Sequence, residues 1–138
     1  MDPSCAQSNI DALIAAFFSA FDNRDGATPR LDAITGCFAD KAIVVRSSTV
    51  AAEIYTVEEF AAPRIALLTQ GSLRDFHEWE VSAQTQLHGG IATRTSRYAK
   101  SGVMDGRAYS GAGTKYFQLV ELDSGWRIAS LAWVDDAT

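Results

Sequence analysis

The chain has 138 residues, 47% of them hydrophobic and 21% charged, which are ordinary globular proportions and exclude a disordered or fibrous protein. A formal net charge of −5 gives no counterion-release affinity for phosphate backbones, so nucleic acid is not expected as a general partner. No apolar run approaches the roughly 18 residues a membrane span needs. Residues 1–9 lack the basic start and apolar stretch of a secretory signal, so a cytoplasmic protein without a membrane partner is expected.

The first element is a helix. Ile10, Leu13, Ile14, Phe17, Phe18 and Phe21 fall on one helical stripe, with Ser8 or Asn9 placed to cap its start and Asp11 to favour its first turn. Residues 1–7 are expected to form a tail ahead of a single domain spanning 8–136. Three phenylalanines on one stripe exceed what a flat sheet would accommodate, and point to a concave one. Thr28-Pro29 then reads as a cap followed by proline at the first helical position, opening a short helix with Leu31, Ile34 and Phe38 inward.

A first strand is expected over Ile43–Arg46. Thr56-x-x-Glu59 is a capping box for a third helix, with Phe60, Leu67 and Leu68 toward the core and Pro63 kinking or restarting it. From Leu73 the hydrophobic period becomes two. His77, Trp79, Val81, Ala83, Thr85 and Leu87 share one strand face, opposite Glu78, Glu80, Ser82, Gln84 and Gln86. Gly89-Gly90, Asp105-Gly106 and Asp123-Ser124-Gly125 mark turns into three further strands, over Ile91–Lys100, Ala108–Leu122 and Trp126–Val134. Gly111 and Gly113 read as a bend or bulge. Long bent strands make a curved sheet, so the fold class is α+β.

Several phrases carry a family resemblance. Phe17-Phe18-Ser19-Ala20-Phe21-Asp22, Cys37-Phe38-Ala39-Asp40-Lys41-Ala42, Tyr55-Thr56-Val57-Glu58-Glu59-Phe60 and Ser124-Gly125-Trp126-Arg127-Ile128-Ala129-Ser130-Leu131 occur in the order found in the NTF2-like superfamily (SnoaL-like and ketosteroid-isomerase-like proteins). The chain resembles that superfamily over roughly residues 8–135. The resemblance implies a cone of three N-terminal helices on a strongly curved, mostly antiparallel sheet, often with a pocket for a small, largely apolar molecule. It also implies homodimers through the outer sheet face. Fold alone does not choose among isomerases, cyclases, dehydratases and binding proteins.

Ketosteroid-isomerase-like members stabilise an enolate with a phenol and a carboxylic acid while a second carboxylate moves the proton. The resemblance puts Phe17 at the phenol, Arg46 near the basic carboxylate, and Lys115 or Tyr116 at the late-strand acid. That catalytic set is absent, and a cyclase or dehydratase using other groups stays open.

Among the remaining polar residues, His77 is the best candidate for a general base. Arg46 ends the first strand, where a guanidinium can hold a carboxylate or carbonyl. Arg94 and Arg97 have opposite strand parity, so one faces in, and periodicity does not say which. Of the tyrosines, Tyr55, Tyr98 and Tyr116, the last is best placed, on a central strand. Phe17, Phe21, Arg46, Tyr55, His77, Trp79, Arg97, Tyr116 and Trp133 form the expected pocket set, while Asp135 and Asp136 are expected in solvent. Cys5 and Cys37 lack metal-type spacing and are expected as free thiols, and His77 and His88 do not form a ligand pair, so no metal is expected. Gly111-Ala112-Gly113 lies within a strand pattern and opens no helix, so it is no phosphate loop, and no cofactor is expected. Two readings follow: a cofactor-free pocket for a hydrophobic or aromatic small molecule with a polar handle, or a non-catalytic homodimeric association domain working through its sheet face.

Overall fold

The computed structural model describes residues 3–137. Helix α1 (Pro3–Ser19) begins earlier than a cap at Ser8 or Asn9 would place it. Ala6 lengthens the apolar stripe, and Ala6, Ile10, Ile14, Phe17, Phe18 and Phe21 are all buried. Asp11 therefore lies in mid-helix and serves a side-chain contact, not the first turn.

After a 3-10 turn at Arg24–Gly26, the short α2 (Leu31–Thr35) buries Ile34 completely but leaves Leu31 exposed. Strand β1 (Phe38–Ser47) is longer than expected, and the chain returns at once in β2 (Ala52–Thr56), which periodicity did not reveal. That strand is a short, mostly exposed edge, so it carries no alternating pattern.

Helix α3 (Val57–Thr69) opens on the expected capping box. The Glu59 N–H donates to Thr56 Oγ1 at 3.1 Å, and the Thr56 N–H donates to Glu59 Oε1 at 2.8 Å. The helix runs through Pro63 without restarting. Leu67, expected in the core, is exposed, while Phe60 and Leu68 are buried.

Four long strands follow: β3 (Leu73–His88), β4 (Ile91–Met104), β5 (Arg107–Leu122) and β6 (Gly125–Asp135). The six strands form one curved sheet ordered β2-β1-β6-β5-β4-β3, antiparallel throughout except for the parallel β1–β6 pair. Helices cover its concave side. Among the described residues, no helix is long and apolar enough to cross a membrane.

Two irregularities in β3 bend this sheet and decide which residues face inward. Register shifts occur between Arg74 and His77, where Asp75 has a positive φ of 51°, and between Glu80 and Ser82, where Val81 is the extra residue. Ahead of the second bulge the inward residues are Phe76, Glu78 and Glu80; beyond it they are Ala83, Thr85 and Leu87. The alternation expected from sequence is thus correct after Val81 and inverted before it. By contrast, the β4–β5 ladder is unbroken at Gly111 and Gly113, so these glycines make no bulge. They make room: a Cβ on Gly113 would collide with the Tyr98 hydroxyl and the Val134 carbonyl, and one on Gly111 would press on the Lys100 side chain.

The core centres on Phe17, which meets Phe18, Phe21, Phe38 and Phe117 edge to face at centroid distances of 5.3–5.9 Å. This cluster closes one end of the bowl. Nearby, Asn23 ties α3 to β3: its side-chain amide donates to the carbonyls of Leu68 (2.9 Å) and Leu73 (2.8 Å), and its Oδ1 accepts from the Phe76 N–H (2.7 Å). Its own N–H donates to the Phe76 carbonyl at 3.1 Å. Asn23→Ala removes three of these bonds and strands their backbone partners, so urea unfolding should show a loss of about 2 kcal/mol or more.

Candidate functional site

The sheet and α3 do not meet at the other end of the bowl, and leave a cavity of about 400 Å³. Its apolar wall includes Phe17, Phe21, Phe60, Leu68, Phe76 and Trp133. Its polar wall carries four cations, Arg46, Arg64, Lys100 and Lys115, against the carboxylates Glu59, Glu78 and Asp135. Glu59 is already engaged by the α3 cap. An acidic protein therefore encloses a cavity in which cations outnumber anions.

The charges are ordered by strand register. Glu78 on β3 lies across from Lys100 on β4, but its Oε1 pairs with Lys115 Nζ of β5 at 2.9 Å. Lys115 reaches it over the Tyr98 ring, 4.1 Å from the centroid, and lies 5.1 Å from the Trp133 ring. Burial pushes the Lys115 ammonium below the usual lysine range, against the opposing pull of Glu78.

Asp135, at the end of β6, collects Lys100 at 3.2 Å, Arg46 at 3.7 Å and the Tyr98 hydroxyl. Burial alone would raise its carboxyl, but the Tyr98 hydrogen bond and Lys100 outweigh that and hold it below the ordinary range. Tyr98 is raised in turn, by burial first and then by its bond to Asp135. Asp135 is thus an inner-wall residue, where solvent exposure was expected.

Arg64 differs from the other three cations. It lies on α3 over the rings of Phe60 (4.4 Å), Trp133 (5.2 Å) and Tyr55 (6.0 Å), and donates to the Phe60 carbonyl at 2.8 Å. Among the described residues no carboxylate lies within salt-bridge distance of it, whereas Arg46, Lys100 and Lys115 each have one. Burial pulls its guanidinium below the usual arginine range.

Of the residues picked out by sequence, Phe17, Phe21, Arg46, Tyr55 and Trp133 line this cavity. The other four do not, because their strand parity turns them away. His77 stacks on Trp79 (4.4 Å, 16° between planes) in a separate pocket between α1 and the sheet edge, ahead of the Val81 bulge. Among the described residues its Nδ1 has no hydrogen-bond partner, but His77 does not line the bowl. Arg97 faces outward and pairs with Asp136 at 2.6 Å. Tyr116 is 56% exposed on the outer face.

The inward arginine of β4 is Arg94, and it serves α1, not the cavity. It pairs with Asp11 and Glu80, both at 2.6 Å, and Glu80 also accepts from the Ser96 hydroxyl at 2.5 Å. Glu78 and Glu80 were expected on the face away from the core, and the Val81 bulge turns both inward beneath the helices. Sequence reasoning missed Arg64, Glu78, Lys100, Lys115 and Asp135 as wall residues. The one available signal was that Tyr98, Lys100, Gly111 and Gly113 pair across β4 and β5, large against small.

No family model matches this chain, and no curated protein matches it. Solved structures do. A protein from Novosphingobium aromaticivorans provisionally named an aromatic ring hydroxylase is similar at 16% identity and TM-score 0.80, covering 100% of this chain and 94% of its own. An NTF2-like superfamily protein from Salmonella enterica serovar Typhimurium is similar at 12% identity and TM-score 0.79, with 99% and 95% covered. A provisionally named calcium/calmodulin-dependent kinase II association domain from Exiguobacterium sibiricum is similar at 9% identity and TM-score 0.74, with 100% and 98% covered. The chain therefore has the NTF2-like, cystatin-like α+β fold.

Asp135, with its carboxyl held low, adds stability that is complete above about pH 4 and is lost as the pH falls through its folded-state value. Asp135→Asn should therefore be less stable than the native chain near neutrality and lose less on acidification. Melting temperatures measured from pH 7 to pH 2 check this; parallel curves would show that the carboxylate adds nothing.

Proposed function

We propose that the bowl binds a small, largely aromatic molecule carrying a carboxylate, with Arg64 receiving the carboxylate and Arg46 assisting. The observation that carries this reading is Arg64 itself, a half-buried cation on the cavity wall stacked on aromatic rings with no acidic partner among the described residues. Leaving a charge desolvated and unpaired is unfavourable, and an incoming carboxylate relieves it with bidentate geometry. The rest of the wall supports an aromatic body: Phe17, Phe21, Phe60, Phe76 and Trp133 offer edges and faces, and a cavity of about 400 Å³ suits a ligand of one or two rings. The provisional name of the Novosphingobium protein accords with an aromatic occupant.

The protein would act in the cytosol, where its exposed Cys5 and buried Cys37 stay reduced. Binding is the minimal function, and cofactor-free isomerase, cyclase or dehydratase chemistry in the same bowl is compatible with it.

A thermal-shift screen separates the handle from the body. Aromatic carboxylates should raise the melting temperature while their primary amides do not. Arg64→Ala should weaken carboxylate binding about ten- to hundred-fold, the worth of a charge-assisted contact. Equal shifts from acid and amide would remove Arg64 from the reading.

A second reading, self-association through the outer sheet face, has its own support. Tyr116 and Val134 are both at least 40% exposed there, on neighbouring rows of the sheet with Gln84 and Gln86 beside them. Among the described residues no helix packs on this face. A dimer should appear in light scattering at micromolar concentration and dissociate in Tyr116→Glu; a monomeric native chain would end this proposal.

A further inference from the structure

We propose that Lys115 is an amine nucleophile that forms an imine with an aromatic aldehyde or ketone held in the bowl, with Glu78 carrying the protons. The inference deepens the binding reading above and rests on it for the way the carbonyl compound is held.

Both side chains line the cavity, yet they are almost removed from water, 7% and 12% exposed. A buried ion pair is weak evidence for stability, since well-packed apolar side chains of similar volume often do as well. What this pair offers is chemistry. The carboxylate oxygen at 2.9 Å can take a proton from the ammonium and return it elsewhere. Two features favour the free amine: the aromatic walls of Tyr98 and Trp133, and a second cation, Lys100, nearby on the same wall. Desolvation beside another cation is a known way to activate a lysine toward carbonyls. Burial and Lys100 both push the Lys115 ammonium down, in the sense required.

The step closes in atoms and charge. Lys115 gives one proton to Glu78, and its lone pair forms a bond to the carbonyl carbon. The π pair moves to oxygen, which takes the proton from Glu78. The nitrogen then returns a proton to Glu78, and that proton leaves with the hydroxyl as water while the nitrogen lone pair forms the C=N bond. An ammonium and a carbonyl become a protonated imine and one water. No oxidant, reductant or cofactor enters. The two cations also suggest how the substrate lies: Arg64 and Lys115 both approach Trp133, at 5.2 Å and 5.1 Å from its ring. A flat molecule against that indole can place its carboxylate at the first and its carbonyl at the second.

The probe is 4-formylbenzoate, with cyanoborohydride to convert the imine to a stable amine, read by intact mass and peptide mapping. The chain contains only Lys41, Lys100 and Lys115, so the map is simple, and the exposed Lys41 reports background labelling. At neutral pH the adduct should fall on Lys115 in about tenfold or greater excess over Lys41, since the bowl holds the carbonyl compound beside Lys115 while Lys41 meets it only by collision. Lys115→Arg, which keeps a cation for Glu78, should lose that adduct while retaining its melting transition. Calorimetry with 4-methylbenzoate, which has the handle but no carbonyl, tests the binding reading separately. Heat of binding with Lys115 left unmodified would overturn the imine and keep the pocket. A Lys115 adduct with no binding of 4-methylbenzoate would keep the imine and overturn the carboxylate handle.

Discussion

Ionised groups taken out of water must find partners or change state, and most of the inner wall of this protein is organised by that requirement. Lys115 meets Glu78, Lys100 and Arg46 meet Asp135, and Arg94 meets Asp11 and Glu80. Each pair joins different elements, so the pairs also fix how β3, β4, β5, β6 and α1 sit against one another. Arg64 stands outside this scheme, compensated by aromatic faces in place of a carboxylate. The asymmetry leaves the cavity wall with more cations than carboxylates, which the chain's overall acidity would not suggest.

The apolar half of the interior divides the bowl. Phe17 and the rings around it fill the closed end, where α1 crosses the sheet, and Phe117 rises from β5 to meet them. Beyond Phe60 and Trp133, whose rings touch at 5.4 Å, packing gives way to open volume. Gly113 belongs to the same design. Without a side chain it lets Tyr98 lie flat across the sheet and deliver its hydroxyl to Asp135.

The fold was legible because its signals are local and redundant. The α1 stripe, the Thr56–Glu59 box and the turns at Gly89-Gly90, Asp105-Gly106 and Asp123-Ser124-Gly125 each stand in a window of a few residues. The site was half legible. Phe17, Phe21 and Trp133 follow from hydrophobic placement, and Arg46 and Tyr55 from the strand and helix they adjoin. Glu78, Lys100, Lys115 and Asp135 were hidden because charged residues on a period-two strand read as the wet face. Nothing in a single strand says that a carboxylate is inward; its partner sits on another strand, and Lys115 and Glu78 are 37 positions apart in the chain. His77 and Tyr116 failed for the converse reason. An aromatic or imidazole beside apolar neighbours looks like core, and here it faces out.

The extra residue at Val81 has a consequence for comparing this protein with others of its shape. A strand with such an insertion and one without it can be superimposed in space almost atom for atom, yet their letters fall out of step on one side of it. An ungapped alignment would then equate Glu78 with a neighbour's outward residue and His77 with its inward one. Substitution scores taken that way would compare inward side chains with outward ones. Pairing these proteins by which way each side chain points, with a one-residue gap allowed at Val81, is the sounder basis for tracing how their interiors diverged.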